Sequence, residues 1–260
     1  MPNIVIGGDR IFYALHDTPR GARDGIPLVL IHGAGENHLV WPAVLRRMPG
    51  AQVYAIDLPG HGKSGGSGRA SIAEYAAFLA GLLGGLRIRR AVIAGHSMGG
   101  AIAQQFGLTY PARTAALILI ATGARLRVAP QILQLTESDL PAAADLVSSL
   151  QWGPGTPEQI VRLGKQQLLA NRPDIIYGDY RACDAFDVID RLGDIRAPTL
   201  VVGGTADQLT PPKYATFLAE RIAGAQLALV DGAGHMVMLE REEAVARAVE
   251  QFLQAQGLLG

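Results

Sequence analysis

Ala91-Val92-Ile93-Ala94-Gly95-His96-Ser97-Met98-Gly99-Gly100 is an apolar run of strand length that ends in Gly-His-Ser-Met-Gly. It passes without a break into a helical pattern, Ala101-Ile102-Ala103-Gln104-Gln105-Phe106. The stretch therefore reads as strand, very tight turn and helix, with one serine at the apex. Glycine two positions before and two after Ser97 removes the Cβ atoms that would collide where the backbone folds back on itself. A serine held in such a turn is strained, and its hydroxyl is lifted clear of the sheet. This is the G-x-S-x-G nucleophile elbow in the strand–helix context it requires. A plain helix start with Ser97 as N-cap would explain the serine but not the glycines on both sides of it.

The apolar pattern recurs outward from this point. Residues 27–32, 52–56, 117–120, 199–202 and 226–230 are short runs with almost no polar alternation, the mark of parallel strands covered on both faces. Helical periodicity fills residues 40–48, 71–86, 98–110 and 214–222, and 244–256 closes the chain. Residues 4–6 and 10–15 flank Gly7-Gly8-Asp9 and read as a hairpin; 19–25 reads as a polar loop. Together these predict an α/β fold, a mostly parallel eight-stranded sheet with helices on both faces. In such sheets chemistry gathers in the loops at the carboxyl ends of the strands.

The alternation breaks once, over the 71 residues 125–195. Helical segments are expected at 131–137, 141–151, 157–170 and 174–186, punctuated by prolines and glycines. A structureless loop of that length would be unusual in a compact domain. The expected organisation is a core of residues 1–124 and 196–260 carrying a helical cap, 125–195, between two strands.

The 260 residues, 49% apolar and 18% charged, are ordinary for a globular protein with a sizeable core. Twenty-three basic and 23 acidic residues cancel, so no charge footprint points to nucleic acid or an anionic membrane. No run approaches the length of a membrane span, and the first residues lack a charged-then-apolar leader. The one cysteine, Cys183, excludes an intrachain disulfide and reads as a packing residue. A cytoplasmic location is the expectation. Metal-binding patterns are absent: no H-E-x-x-H, no paired cysteines, no clustered histidines. Gly65-Gly66-Ser67-Gly68 lacks the Lys-Ser ending of a phosphate loop, and no dinucleotide fingerprint occurs. No cofactor is therefore expected.

A serine hydroxyl needs a base, and the base needs an orienting group. Of the six histidines, His235 follows the 226–230 strand through small residues, on the rim shared with Ser97, and is the expected general base. His61 reads as a structural loop histidine and His32 as a backbone-bonding residue at a strand end. His96 is turned away by the elbow, and His16 and His38 lack a convergent partner. Asp207 follows the 199–202 strand and is the expected orienting acid. The rival position, Ala121-Thr122-Gly123-Ala124, holds no carboxylate. The Met98 N–H, at a helix start, is one expected oxyanion donor, and the Ala34 N–H in His32-Gly33-Ala34-Gly35 is the other; Gly33 and Gly35 would serve a simple turn equally well. Leu126, Leu150, Trp152, Tyr177, Phe186, Leu209, Met98 and Met236 are expected to line a pocket, or to pack cap against sheet.

His32-Gly33-Ala34-Gly35, Asp57-Leu58-Pro59-Gly60-His61-Gly62-Lys63-Ser64, the elbow, Gly203-Gly204-Thr205-Ala206-Asp207 and Gly234-His235 together resemble the α/β-hydrolase superfamily over nearly the whole chain. Within it, His32-Gly33-Ala34-Gly35-Glu36 with Gly-His-Ser-Met-Gly looks like small carboxylesterases and monoacylglycerol lipases. The resemblance implies hydrolysis of a small-molecule ester through an acyl-enzyme. Enol-lactone or carbon–carbon hydrolysis, cofactor-free perhydrolysis and a hydrolase-fold ligand receptor remain alternatives.

Overall fold

The computed structural model describes residues 2–16 and 25–259; of the loop read at 19–25, only Gly25 lies among them. Strands β1 (Asn3–Ile6) and β2 (Asp9–His16) form the hairpin, with Gly7 and Gly8 at φ 59° and 93°, values that match the mirror-image turns favoured between twisted strands. Then follow β3 (Leu28–Ile31), β4 (Val53–Ile56), β5 (Ala91–His96), β6 (Thr114–Ile120), β7 (Thr199–Gly204) and β8 (Gln226–Val230). They form one eight-stranded sheet in the order β1-β2-β4-β3-β5-β6-β7-β8. Only the β1–β2 and β2–β4 pairings are antiparallel.

Alternate residues of each central strand feed two separate cores. Val29, Ile31, Ile93 and Leu119 face one side, where they meet Tyr75, Leu79, Phe106 and Leu218. Leu28, Leu30, Val92 and Ile118 face the other, with Leu45, Val245 and Phe252. Four of these partners come from helices early in the chain, α1 (Ala43–Arg46), α2 (Ile72–Gly85) and α3 (Met98–Thr109), and Leu218, Val245 and Phe252 from two helices late in it. Burying one such large apolar side chain contributes about 1.5–3 kcal/mol. At the start of α2 the Ser71 side chain accepts the Glu74 N–H while the Glu74 carboxylate accepts the Ala70 N–H, a variant of the reciprocal capping box.

The helix expected at 40–48 is broken. His38–Val40 is a single 3₁₀ turn and α1 is four residues long. Pro42 explains the gap, because the residue before a proline is pushed to extended geometry, and Trp41 lies at φ −85°, ψ 116°.

Between β6 and β7 run four helices, α4 (Pro130–Ser138), α5 (Leu140–Gln151), α6 (Glu158–Leu169) and α7 (Pro173–Asp184). The chain then returns through a 3₁₀ segment, Ile189–Asp194, whose Leu192 joins the sheet core. After β7 come α8 (Pro212–Arg221), then β8, α9 (Val237–Glu240) and α10 (Glu242–Ala255). No helix among the described residues is long and apolar enough to cross a membrane.

Candidate active site

Ser97 sits between β5 and α3 at φ 51°, ψ −114°. A non-glycine residue in that region costs of order 1–3 kcal/mol and persists only where its surroundings over-determine it. Here they do. Ser97 N–H donates to the Ile120 carbonyl (2.9 Å), and the Thr122 hydroxyl donates to the Ser97 carbonyl (2.8 Å). A Cβ on Gly95 would land on the Gly99 carbonyl, and one on Gly99 would land on the Ile31 carbonyl. The hydroxyl is not spent on capping α3. It opens instead into a cavity of about 290 Å³ between the sheet rim and the inserted helices.

His235 lines the same cavity. Its Nδ1 lies 2.9 Å from Asp207 Oδ2, and both side chains are buried. Asp207 is saturated: Oδ1 accepts the N–H groups of Leu209 and Thr210, and Oδ2 also accepts the Thr210 hydroxyl. Burial alone would raise the Asp207 pKa, but the His235 charge and these hydrogen bonds outweigh it and hold the carboxyl below its usual range. For His235 burial disfavours the cation, yet the charge and hydrogen bond of Asp207 prevail and raise the imidazole above its usual value. With Nδ1 engaged by a carboxylate, Nε2 is the nitrogen left for the cavity. No hydrogen bond joins it to the Ser97 hydroxyl among the described residues; such contacts are commonly long before substrate binds.

The backbone of the His235 loop is held as firmly. Its N–H donates to the Gln151 carbonyl at the end of α5 (2.8 Å), and its carbonyl accepts from His96 Nε2 (3.0 Å). His96 Nδ1 lies 3.1 Å from Glu36 Oε2, and the rings of His96 and His235 stand 4.8 Å apart. The elbow thus turns His96 beneath His235 rather than into the cavity.

The loop after β3 supplies the second set of donors. Gly33 N–H is taken by Glu36 Oε2 (2.7 Å) and Gly35 N–H by Asp179 Oδ2 (2.9 Å). The N–H groups of Ala34 and Met98 have no hydrogen-bond partner among the described residues. Ala34 lines the cavity; Met98 begins α3 directly after Ser97, where the helix dipole favours negative charge. Beneath the loop, His32 Nε2 accepts the Leu58 N–H (3.0 Å), so its Nδ1 carries the proton and donates to the Gly33 carbonyl (2.8 Å). Burial, aided by nearby His61, pushes the His32 pKa down to about 4, so it stays neutral.

Leu126, Leu150, Leu209 and Met236 line the cavity. Trp152, Tyr177 and Phe186 do not, which corrects their expected place. Trp152 follows the end of α5 in extended backbone, turns into the sheet core and stands behind Gly164. Phe186 lies past α7 and packs in the other core. Tyr177 is out of helical phase: the wall is made by Tyr180 and Cys183, while Ile176 rests on Gly35. The Met98 side chain likewise packs in the core and does not line the cavity. Cys183, read as packing, is buried and also borders the cavity, where burial raises its thiol pKa well above normal.

His38, expected to lack a partner, receives one: its Nδ1 and N–H both lie against Asp57 Oδ1 (2.8 and 2.7 Å). Asp57 also accepts the Lys63 N–H, tying its own turn together. The roles that sequence reasoning missed are those of Thr122, Thr210, Glu36 and Asp179. Thr122 and Asp179 find their partners only through tertiary contact. Thr210 and Glu36 pair with Asp207 and Gly33 three positions away and meet His235 and His96 only in the fold. Among the described residues no cluster of three or more His, Cys, Asp or Glu side chains could hold a metal ion.

Known proteins share this architecture. A pimeloyl-[acyl-carrier protein] methyl ester esterase of Pectobacterium carotovorum is 29% identical over 245 residues, 88% of this chain and 94% of its own length. A poly(3-hydroxyalkanoate) depolymerase of Ectopseudomonas oleovorans is 32% identical over 240 residues, 88% of this chain and 84% of its own. The solved structure of a thermophilic esterase superposes with a TM-score of 0.87 at 33% identity, covering 98% of both chains. Residues 28–248 match the profile described as Alpha/beta hydrolase family. On that match, and on a sheet whose elbow carries a strained serine at the head of a helix, this chain belongs to the alpha/beta hydrolase family.

Proposed function

We propose that the protein hydrolyses uncharged carboxylic esters of short to medium acyl chain through an acyl-enzyme on Ser97. The observation that carries this reading is the pairing of the strained Ser97 with a His235 whose Nδ1 is held by Asp207, both opening on one cavity. His235 Nε2 takes the Ser97 proton as Oγ attacks the ester carbonyl. The oxyanion that forms is received by the N–H groups of Ala34 and Met98. The C–O bond then breaks, and the imidazolium gives its proton to the leaving alcohol. Water repeats the sequence, releasing the acid and restoring the serine.

The cavity argues for the substrate class. It lies at the small end of the range for small-molecule sites, about 300–1,000 Å³, and much of its wall is apolar, with Ile132, Val147, Leu150 and Leu168. Glu36 also borders it. Burial would raise its pKa, but His96 and the Gly33 N–H hold it down, so it stays ionised and disfavours acyl groups that end in a carboxylate. In this reading residues 125–195 act as the cap that closes the pocket. The enzyme works in the cytoplasm, a reducing compartment that suits its lone cysteine.

A series of p-nitrophenyl esters from acetate to laurate, run beside aliphatic and enol lactones, tests this. Turnover is expected to peak at short to medium chains and to exceed that of every lactone. Lactone turnover without ester turnover would overturn it. The pH profile supplies a second check. A general base must be unprotonated, and the His235 pKa is raised. The acid limb of kcat/KM for p-nitrophenyl butyrate is therefore expected to have its midpoint above 6.5, the ordinary imidazole value, falling about tenfold per pH unit below it.

A further inference from the structure

We propose that Asp179, carried by inserted helix α7, is a positioning residue for the oxyanion hole. By holding the Gly35 N–H it fixes the direction of the neighbouring Ala34 N–H, so that seating the inserted helices and assembling the hole are one event. The proposal rests on the reading of Ser97 given above.

Asp179 is fully buried, and each of its oxygens is used. Oδ2 accepts the Gly35 N–H (2.9 Å) and faces His61 Nε2 (2.7 Å); Oδ1 accepts the Tyr75 hydroxyl (2.7 Å). These partners belong to the loop after β3, the loop after β4 and helix α2, 104 to 144 positions distant in the chain. His61 is fixed in turn by the Pro59 carbonyl (3.0 Å). The inserted segment also holds the other side of Gly35, whose carbonyl accepts from Asn171 Nδ2 (2.5 Å).

The peptide planes show why this bears on the hole. The plane that carries the Ala34 N–H also contains the Gly33 carbonyl, which is pinned by His32 Nδ1. The next plane contains the Gly35 N–H, pinned by Asp179. Ala34 lies between two immobilised planes and lines the cavity, and its own N–H has no hydrogen-bond partner among the described residues. Gly35 is at φ +63°, and a Cβ there would strike Leu168 and approach Ile176, both on the inserted helices. A left-handed glycine is a free swivel unless something outside the loop stops it, and Asp179 with Asn171 is that stop. An apolar side chain at this position would leave the Gly35 N–H, the His61 imidazole and the Tyr75 hydroxyl buried without their acceptor, at a cost in stability, so the test must separate stability from the hole.

The test compares Asp179→Asn with wild type on an ester and its thionoester, in which sulfur replaces the carbonyl oxygen. Sulfur is a poor hydrogen-bond acceptor, so the ratio of the two kcat values reports the hole itself. Loss of one oxyanion donor costs about 10²–10³ in kcat; loosening one is expected to cost about 10–100-fold. The expected result is that drop in ester kcat, with KM changed less than about threefold and the oxo/thiono ratio reduced in step. Phe252→Leu, on the buried face of α10, is the control for lost stability and should lower Tm while leaving the ratio unchanged. An Asp179→Asn enzyme with reduced Tm but a wild-type ratio overturns the proposal and leaves Asp179 a stability role only. Should Asp179→Asn fail to fold, Asn171→Ala, which frees the Gly35 carbonyl, carries the same test: a reduced ratio supports the proposal and an unchanged one overturns it. Ser97→Ala is measured alongside. If that variant stays active, the acyl-enzyme reading itself has failed, an outcome distinct from an inert Ser97→Ala with an unchanged ratio in the Asp179 variant.

Discussion

Replacing Ser97 with alanine is expected to lower kcat for p-nitrophenyl acetate and butyrate by about a millionfold, the scale on which removal of such a nucleophile acts. The substitution takes away the attacking oxygen and nothing else of consequence. Alanine keeps the Cβ, the Ser97 hydroxyl makes no capping bond to α3, and the bonds to the Ile120 carbonyl and from the Thr122 hydroxyl use only the main-chain N–H and carbonyl of Ser97. Tm is therefore expected to move by no more than a degree or two, corresponding to about 0.5 kcal/mol. Loss of turnover with the fold intact would isolate the hydroxyl as the reacting group. More than a few per cent of wild-type turnover would sink the assignment.

Asp207→Asn is expected to cost about ten-thousandfold in kcat. The asparagine can offer an N–H where the carboxylate offered an acceptor, so the imidazole is driven to carry its proton on Nε2, the wrong nitrogen for a base. The Thr210 hydroxyl makes matters worse. It now donates to Asp207 Oδ2 while lying 3.2 Å from His235 Nδ1; with the carboxylate gone it can turn and donate to Nδ1, reinforcing the unproductive tautomer. Removal of the negative charge also removes what raises the His235 pKa against burial. The acid limb of the residual activity should then move to lower pH even as kcat itself falls. Steady-state kinetics from pH 5 to 9 on both proteins would show the two effects together. An unchanged kcat, or a limb displaced upward, would count against Asp207 as the orienting group.

What could be seen in the sequence was what covalent geometry forces. Gly95 and Gly99 announce the elbow because no other residue fits beside the Gly99 and Ile31 carbonyls. Asp207 and His235 stand out because each follows a strand through small residues, and the structure joins them at 2.9 Å. Unbroken apolar runs marked the central strands, but their spatial order, β4 outside β3, depends on how the crossovers pack and leaves no local trace. The same limit hid Asp179, a carboxylate among many given meaning only by partners brought in from elsewhere, and the approach of Thr210 to His235, although its bond to Asp207 spans only three positions. Tyr177 and Trp152 show a subtler failure. A large aromatic in an inserted helix invites a place in the pocket, yet one step of helical phase or one extended residue after a helix end turns it elsewhere.

The hydrogen bond from the His235 N–H to the Gln151 carbonyl has a bearing on protein engineering. Specificity is often altered by exchanging a whole roof for one from a cousin, as though scaffold and roof were interchangeable parts. In this molecule a chimera that replaced 125–195 would at one stroke delete the acceptor beneath the imidazole's own backbone and both grips on Gly35. A transplanted roof would have to bring its own equivalents of Gln151, Asn171 and Asp179, in register, before any new pocket it carried could be judged.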